Sequence, residues 1–116
     1  MNICFILDPW ENLDPEMDSS IRIVHEASLR NHNVGILYPN KLTIRNSITY
    51  GFIKKIKKLE KVPANMTSFY KKVRFTEQLL PLSGFDVIFL RTDPPLDPIM
   101  LNFLDSIKDD TFIIND

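Results

Sequence analysis

The residues best suited to chemistry stand in two short stretches, Asp8-Pro9 and Arg91-Thr92-Asp93-Pro94-Pro95, each directly after an apolar run. The runs, Ile3 to Leu7 and Val87 to Leu90, have the length and composition of strands buried on both faces. In an open parallel sheet ligands bind beyond the carboxyl ends of the strands. If the two strands are neighbours, both loops therefore face one pocket. Proline presets φ and so holds the adjacent charged residue in a fixed direction. Arg91 offers a planar fork of donors suited to a carboxylate or phosphate. The same pattern is also satisfied if Arg91 pairs with Asp8 or Asp93 and merely closes the sheet edge. Ser19 and Ser20 follow Asp18 at a helix start, where their hydroxyls suit capping before nucleophilic attack, although a helix N-terminus at a sheet edge also favours anions.

Other chemistries find no support. Gly35, Gly51 and Gly84 are the only glycines and are not clustered, so neither a dinucleotide fingerprint nor a Walker motif can be built. His25 and His32 lack partners at ligand spacing, which points to surface or cap roles. Cys4, the single cysteine, falls inside the first apolar run and reads as a small core residue. Lys54 to Arg74 holds eight of the 14 basic residues with only Glu60 opposing them. Single-stranded nucleic-acid binding is the sharper reading of that stretch, but the balanced charge and missing motif favour a solvated face or a connection to another domain.

These residues need a scaffold. The segment after Pro9, with Pro15 and four acids, reads as an irregular solvated path. A helix from about Ser20 to Arg30 places Ile21, Val24, Ala27 and Ser28 on one face, and Asn31-His32-Asn33 ends it. Val34 to Tyr38 is the next strand, completing a βαβ unit. Leu42 to Arg45 and Ile48 to Phe52 alternate around Asn46-Ser47, the pattern of a hairpin. From Ile53 to Lys61 the lysines surround Ile53, Ile56 and Leu59 as in a short amphipathic helix or a basic connection. Residues 66 to 80 fit strand or helix equally well. Pro81-Leu82-Ser83-Gly84 is a turn cluster before the strand that ends at Arg91, and Asp97-Pro98 starts a helix with Ile99, Phe103 and Ile107 on its apolar face. Phe112 to Ile114 forms a last strand, and so abrupt a stop suggests a boundary between domains.

With 116 residues, 44% of them hydrophobic, the chain suits one domain that folds without disulfide or metal. Fourteen basic and 15 acidic residues argue against general attraction to nucleic acid or membranes, and Met1 to Leu7 is too short to target or to span. The lone cysteine suggests a reducing compartment.

The order of these motifs resembles the N-terminal domain of prokaryotic glutathione synthetase, an enzyme family of the ATP-grasp superfamily. The matching stretches are Leu7-Asp8-Pro9, Asp18-Ser19-Ser20, Glu26-Ala27, Arg30 to Val34, Pro81 to Val87, Arg91-Thr92-Asp93-Pro94-Pro95-Leu96-Asp97 and the closing strand into Asn115. The likeness covers nearly the whole chain but fades between about residues 50 and 78. Thr92 stands where the family has lysine, Leu96 where it has phenylalanine, and Asn31 where it has glycine.

The resemblance implies a Rossmann-like three-layer α/β domain with a mainly parallel sheet, the pre-ATP-grasp domain. It implies that residues 1 to 116 form the substrate side of a larger cytoplasmic ligase, homo-oligomeric as a whole and inactive as this piece alone. That ligase joins γ-glutamylcysteine to glycine through an acyl phosphate, with ATP and Mg²⁺ held by domains outside this chain. It places no catalytic, cofactor or metal residue here. The expected contacts to γ-glutamylcysteine are Arg91 as anchor, Asp8 and Asp93 shaping the loops, and a hydroxyl from Ser19 or Ser20. Thr92 keeps another ATP-grasp carboxylate–amine ligase open, and the lysines keep open a stand-alone interaction module.

Overall fold

A computed structural model describes residues 1 to 91, 104, 105, 107 and 111 to 115. Among them the helices α1 (Ser19–Leu29) and α2 (Met66–Lys72) accompany strands of one sheet. The strands are β1 (Asn2–Leu7), β2 (Asn33–Leu37), β3 (Leu42–Arg45), β4 (Ile48–Ile56), β5 (Phe75–Pro81), β6 (Val87–Arg91) and β7 (Phe112–Asn115).

All seven strands join one sheet in the order β3-β4-β2-β1-β6-β7, with β5 also paired to β4. The centre, β2-β1-β6-β7, is parallel, as a βαβ start requires. β3, β4 and β5 extend it as an antiparallel flank. From β1 the chain crosses through α1 to β2 on one side, whereas β6 lies on the other. In open α/β sheets such a reversal is where a ligand crevice forms, which here means the carboxyl ends of β1 and β6.

β1 shows why this is a three-layer α/β fold of Rossmann-like form. Successive side chains of a strand point to opposite faces. Ile3, Phe5 and Leu7 enter a cluster with Trp10, Ile21, Val24, Ala27, Phe69 and Val73. Cys4 and Ile6 enter a second with Leu82, Phe85, Ile88, Leu90, Leu104 and Ile107. Both faces are thus covered, and each fully buried large apolar side chain contributes about 1.5 to 3 kcal/mol relative to exposure.

Local chemistry sets the joints. The Asp18 carboxylate caps α1 by accepting from the Ser20 amide at 2.8 Å. At the other end Asn31 takes φ 65°, while His32 and Asn31 amides donate to the Ala27 and Ser28 carbonyls. That double closure needs a left-handed residue, and asparagine tolerates the conformation nearly as glycine does. Asn46 and Ser47, with φ 53° and 65°, make the tight β3–β4 turn whose twist matches that of the strands.

Several expectations are corrected. Trp10 does not lie on a solvated path: it is 6% exposed and anchors one core cluster. β4 runs through Ile56 as a strand because Ile53 faces the core while pairing continues with β5, so the helical alternative for Ile53 to Lys61 fails at its start. Residues 66 to 80, left open between helix and strand, contain both. His25 is buried, its Nε2 2.6 Å from the Pro63 carbonyl oxygen and its ring 4.8 Å from that of Phe69. His32 meets the cap expectation through its backbone amide, which donates to the Ala27 carbonyl at 3.1 Å, while its Nδ1 lies 3.1 Å from the amino terminus. The helix expected from Asp97-Pro98 lies largely outside the described residues, of which Leu104 and Asp105 are helical. No helix among the described residues is long and apolar enough to cross a membrane.

Candidate functional site

Leu7 and Arg91 are register partners at the ends of β1 and β6, so Asp8 follows directly beside Arg91 at the crevice. Parallel pairing fixes that level, because a slip of one residue would turn Arg91 toward the opposite face. Arg91 leaves the sheet half-buried and reaches the first turn of α1. Its Nη2 donates to Ser19 Oγ at 2.9 Å, and its Nε approaches Ser20 Oγ at 3.5 Å. The serines lie in the turn that Asp18 caps, where backbone N–H groups lack intrahelical acceptors.

A guanidinium and two hydroxyls therefore converge beside a helix N-terminus, whose Ser20 amide is taken by the Asp18 carboxylate. Such a set recognises an anion, and the fork geometry favours a carboxylate or phosphate oxygen pair. Among the described residues no ion pair joins Arg91 to Asp8, while the other pairing expected of Arg91, with Asp93, lies outside the described residues. Of the expected site residues, Arg91, Ser19 and Ser20 are brought together, Asp8 flanks them through the strand register, and Asp93 lies outside the described residues.

Sequence reasoning missed the support behind the Asp8 loop. The Trp10 amide donates to the Tyr38 hydroxyl at 3.0 Å, and the Tyr70 hydroxyl donates to the Trp10 carbonyl at 2.5 Å. Burial raises the pKa of both phenols above the ordinary value. The only signal available beforehand was a tryptophan set in an acidic, proline-bounded segment.

The cationic stretch has internal work. Lys54 pairs with Glu77 at 3.3 Å, Lys58 approaches the Asn31 and His32 carbonyls at the end of α1, and Arg74 donates to the Lys71, Lys72 and Val73 carbonyls at the end of α2. Cations at helix carboxyl ends are favourable on electrostatic grounds alone. Cys4 is fully buried, and burial pushes its thiol far above the ordinary range, as expected of a core residue rather than a nucleophile.

A family model described as "Prokaryotic glutathione synthetase, N-terminal domain" matches residues 1–116. The glutathione synthetase of Nitrosomonas europaea is 34% identical over 97 residues, covering 84% of this chain and 29% of that protein. That of Nostoc is 27% identical over 129 residues, covering 99% and 38%. That of Buchnera aphidicola is 30% identical over 97 residues, covering 84% and 28%. The chain thus spans between 28% and 38% of the length of these relatives.

Proposed function

From the premise that the chain belongs to the family of prokaryotic glutathione synthetase N-terminal domains, we propose that it forms the substrate-side wall of a longer ATP-dependent ligase joining γ-glutamylcysteine to glycine. One observation carries the reading: Arg91 and the two serines of α1 meet at the switch point of the sheet. There a carboxylate of the dipeptide would accept from the guanidinium and from the helix N-terminus together. Asp8, and Asp93 two positions beyond β6 in the sequence, would shape the entrance and disfavour additional negative charge.

This domain's task is to bind and orient. The described residues are not arranged to fit a nucleotide or Mg²⁺ site. Its three glycines are scattered, and among the described residues no three His, Cys, Asp or Glu side chains come together. ATP and the metal would be held by the remaining two thirds or so of a protein the length of the relatives. Phe112 at the β7 edge is 67% exposed, a surface that a further domain would cover. A parent of this family acts as a soluble cytoplasmic enzyme in the same reading.

Titrating γ-glutamylcysteine into the ¹⁵N-labelled chain tests the assignment. Saturable shifts are expected at the Ser19 and Ser20 amides and at Arg91 Nε–H. Shifts confined to other surfaces, or none at millimolar dipeptide, would remove the crevice as the substrate wall.

A further inference from the structure

Both polar groups of one backbone unit, that of Trp10, end on tyrosine hydroxyls supplied by distant parts of the chain. Tyr38, one residue past β2, accepts from the Trp10 amide at 3.0 Å; Tyr70, in α2, donates to the Trp10 carbonyl at 2.5 Å. Tyr38 Oη also lies 3.4 Å from Glu11 Oε2, so the hydroxyl accepts from Trp10 and donates to the carboxylate without conflict. The indole between them is held as firmly. Tyr70 stacks on it with centroids 5.0 Å apart, and Phe69 and Phe75 meet its ring edge-on at 6.5 and 5.6 Å.

Packing alone would fix the indole. The turn's own bonds, from the Asn12 amide to the Pro9 carbonyl at 2.9 Å and from the Leu13 amide to the Trp10 carbonyl at 3.1 Å, hold the carbonyl side of the peptide groups on either side of Trp10, and the hydroxyls add a partner for the Trp10 amide and a second one for its carbonyl. Losing one partner of a part-buried peptide group costs up to about 1 to 3 kcal/mol, so removing either hydroxyl loosens the turn without undoing it. Asp8 stands two residues earlier, with its predecessor Leu7 locked opposite Arg91. The β1 register on one side and Trp10 on the other hold the Asp8-Pro9 bend at both ends.

We propose that Tyr38 and Tyr70 are positioning residues, whose hydroxyls hold the Asp8-Pro9-Trp10 bend at the mouth of the Arg91–Ser19 crevice and so set its affinity for a carboxylate ligand. The inference rests on the reading of that crevice as a dipeptide site. The two tyrosines touch no ligand; they act through the loop. A purely structural role would lower stability without altering binding by the folded chain, and the two effects can be measured separately.

The experiment compares Tyr38→Phe, Tyr70→Phe and Arg91→Ala with the unaltered chain, by urea unfolding, by ¹⁵N relaxation at Asp8, Trp10 and Glu11, and by titration with γ-glutamylcysteine. Each Tyr→Phe variant should fold cooperatively, show greater loop motion, and bind about three- to tenfold more weakly, the factor set by one hydrogen bond of ordinary strength. Both positions are half-buried, so either variant remains readable if the other unfolds. If Arg91→Ala weakens binding while the tyrosine variants bind as the unaltered chain does, the positioning role is overturned and the site stands. An unchanged loop in both variants overturns it equally. If the unaltered chain does not bind the dipeptide, or Arg91→Ala binds it equally well, the reading of the crevice itself fails and takes this inference with it.

Discussion

The Arg91 guanidinium donates to the Ser19 hydroxyl across 2.9 Å, tying the last residue of β6 to the first of α1 over 72 positions of sequence. A hydroxyl is a neutral acceptor, so this contact orients the fork without cancelling its charge. Replacing Arg91 by Ala should therefore weaken γ-glutamylcysteine binding by about 1.5 to 3 kcal/mol, the usual worth of a hydrogen bond to a charged group. Arg91→Lys keeps the charge but not the fork and should fall between. Calorimetric titration of the three forms checks the order; equal affinities would remove Arg91 from the site.

The Cys4 thiol makes a separate, pH-dependent prediction. Burial raises its pKa in the folded chain above the ordinary value, and burial does the same for the Tyr38 and Tyr70 phenols. Below the unfolded-state values both states hold these protons, so stability is unaffected there. Above them the unfolded chain sheds protons that the folded chain keeps, so stability falls as pH rises. Urea unfolding should show a level region up to about pH 8 and a decline beyond it. Cys4→Ala should reduce the slope of that decline whatever its effect on stability at neutral pH. A thiol reagent at pH 8 should modify Cys4 only as the chain unfolds; rapid labelling of the native protein would contradict its buried state.

The parallel centre was legible because β1, β2 and β6 are short apolar runs bounded by charge, proline or asparagine, and runs of that length and composition suit strands buried on both faces. Arg91, Ser19 and Ser20 were legible for a related reason: strand ends and helix starts carry local signatures even when their meeting is a tertiary event. The antiparallel flank was harder to read. In β4, Lys54 and Lys55 mask the strand because Lys54 can lay its stem along the sheet and reach Glu77, while Lys55 faces outward. Trp10 and His25 were misplaced because each is buried by partners that arrive much later in the chain, Phe69 and Tyr70 for the indole and Pro63 and Phe69 for the imidazole. No window around residue 10 or 25 contains that information.

Gly35 should prove far less replaceable than Gly84. A Cβ at Gly35 would stand 2.6 Å from Ile53 Cγ2, closer than real contacts allow, and a β-branched isoleucine inside the sheet has little freedom to turn aside. At Gly84 the nearest atom to a new Cβ is Pro81 Cγ, at 4.0 Å. Gly35→Ala is expected to cost about 1 to 3 kcal/mol by overpacking, and Gly84→Ala to stay within about 0.5 kcal/mol of the unaltered chain. Urea melts of the two variants decide the matter. Equal midpoints would mean that β2 and β4 separate easily at this level.

Asp18 links stability to the site because its carboxylate caps the turn that presents Ser19 and Ser20. Removing it in Asp18→Ala should cost about 1 kcal/mol of stability, as loss of an aspartate cap usually does. The helix start then frays, and the two hydroxyls no longer stand at fixed distances from Arg91. Dipeptide binding should weaken as well, although Asp18 carries a negative charge whose removal would by itself favour an anionic ligand. The sign of the binding change therefore separates geometry from electrostatics: weaker binding means that the cap acts by placing the serines, and tighter binding means that charge dominates. A double-mutant cycle with Arg91→Ala sharpens the distinction. If Asp18 acts through the Arg91–Ser19 contact, its effect on affinity should largely disappear once Arg91 is gone, whereas a long-range charge effect should persist.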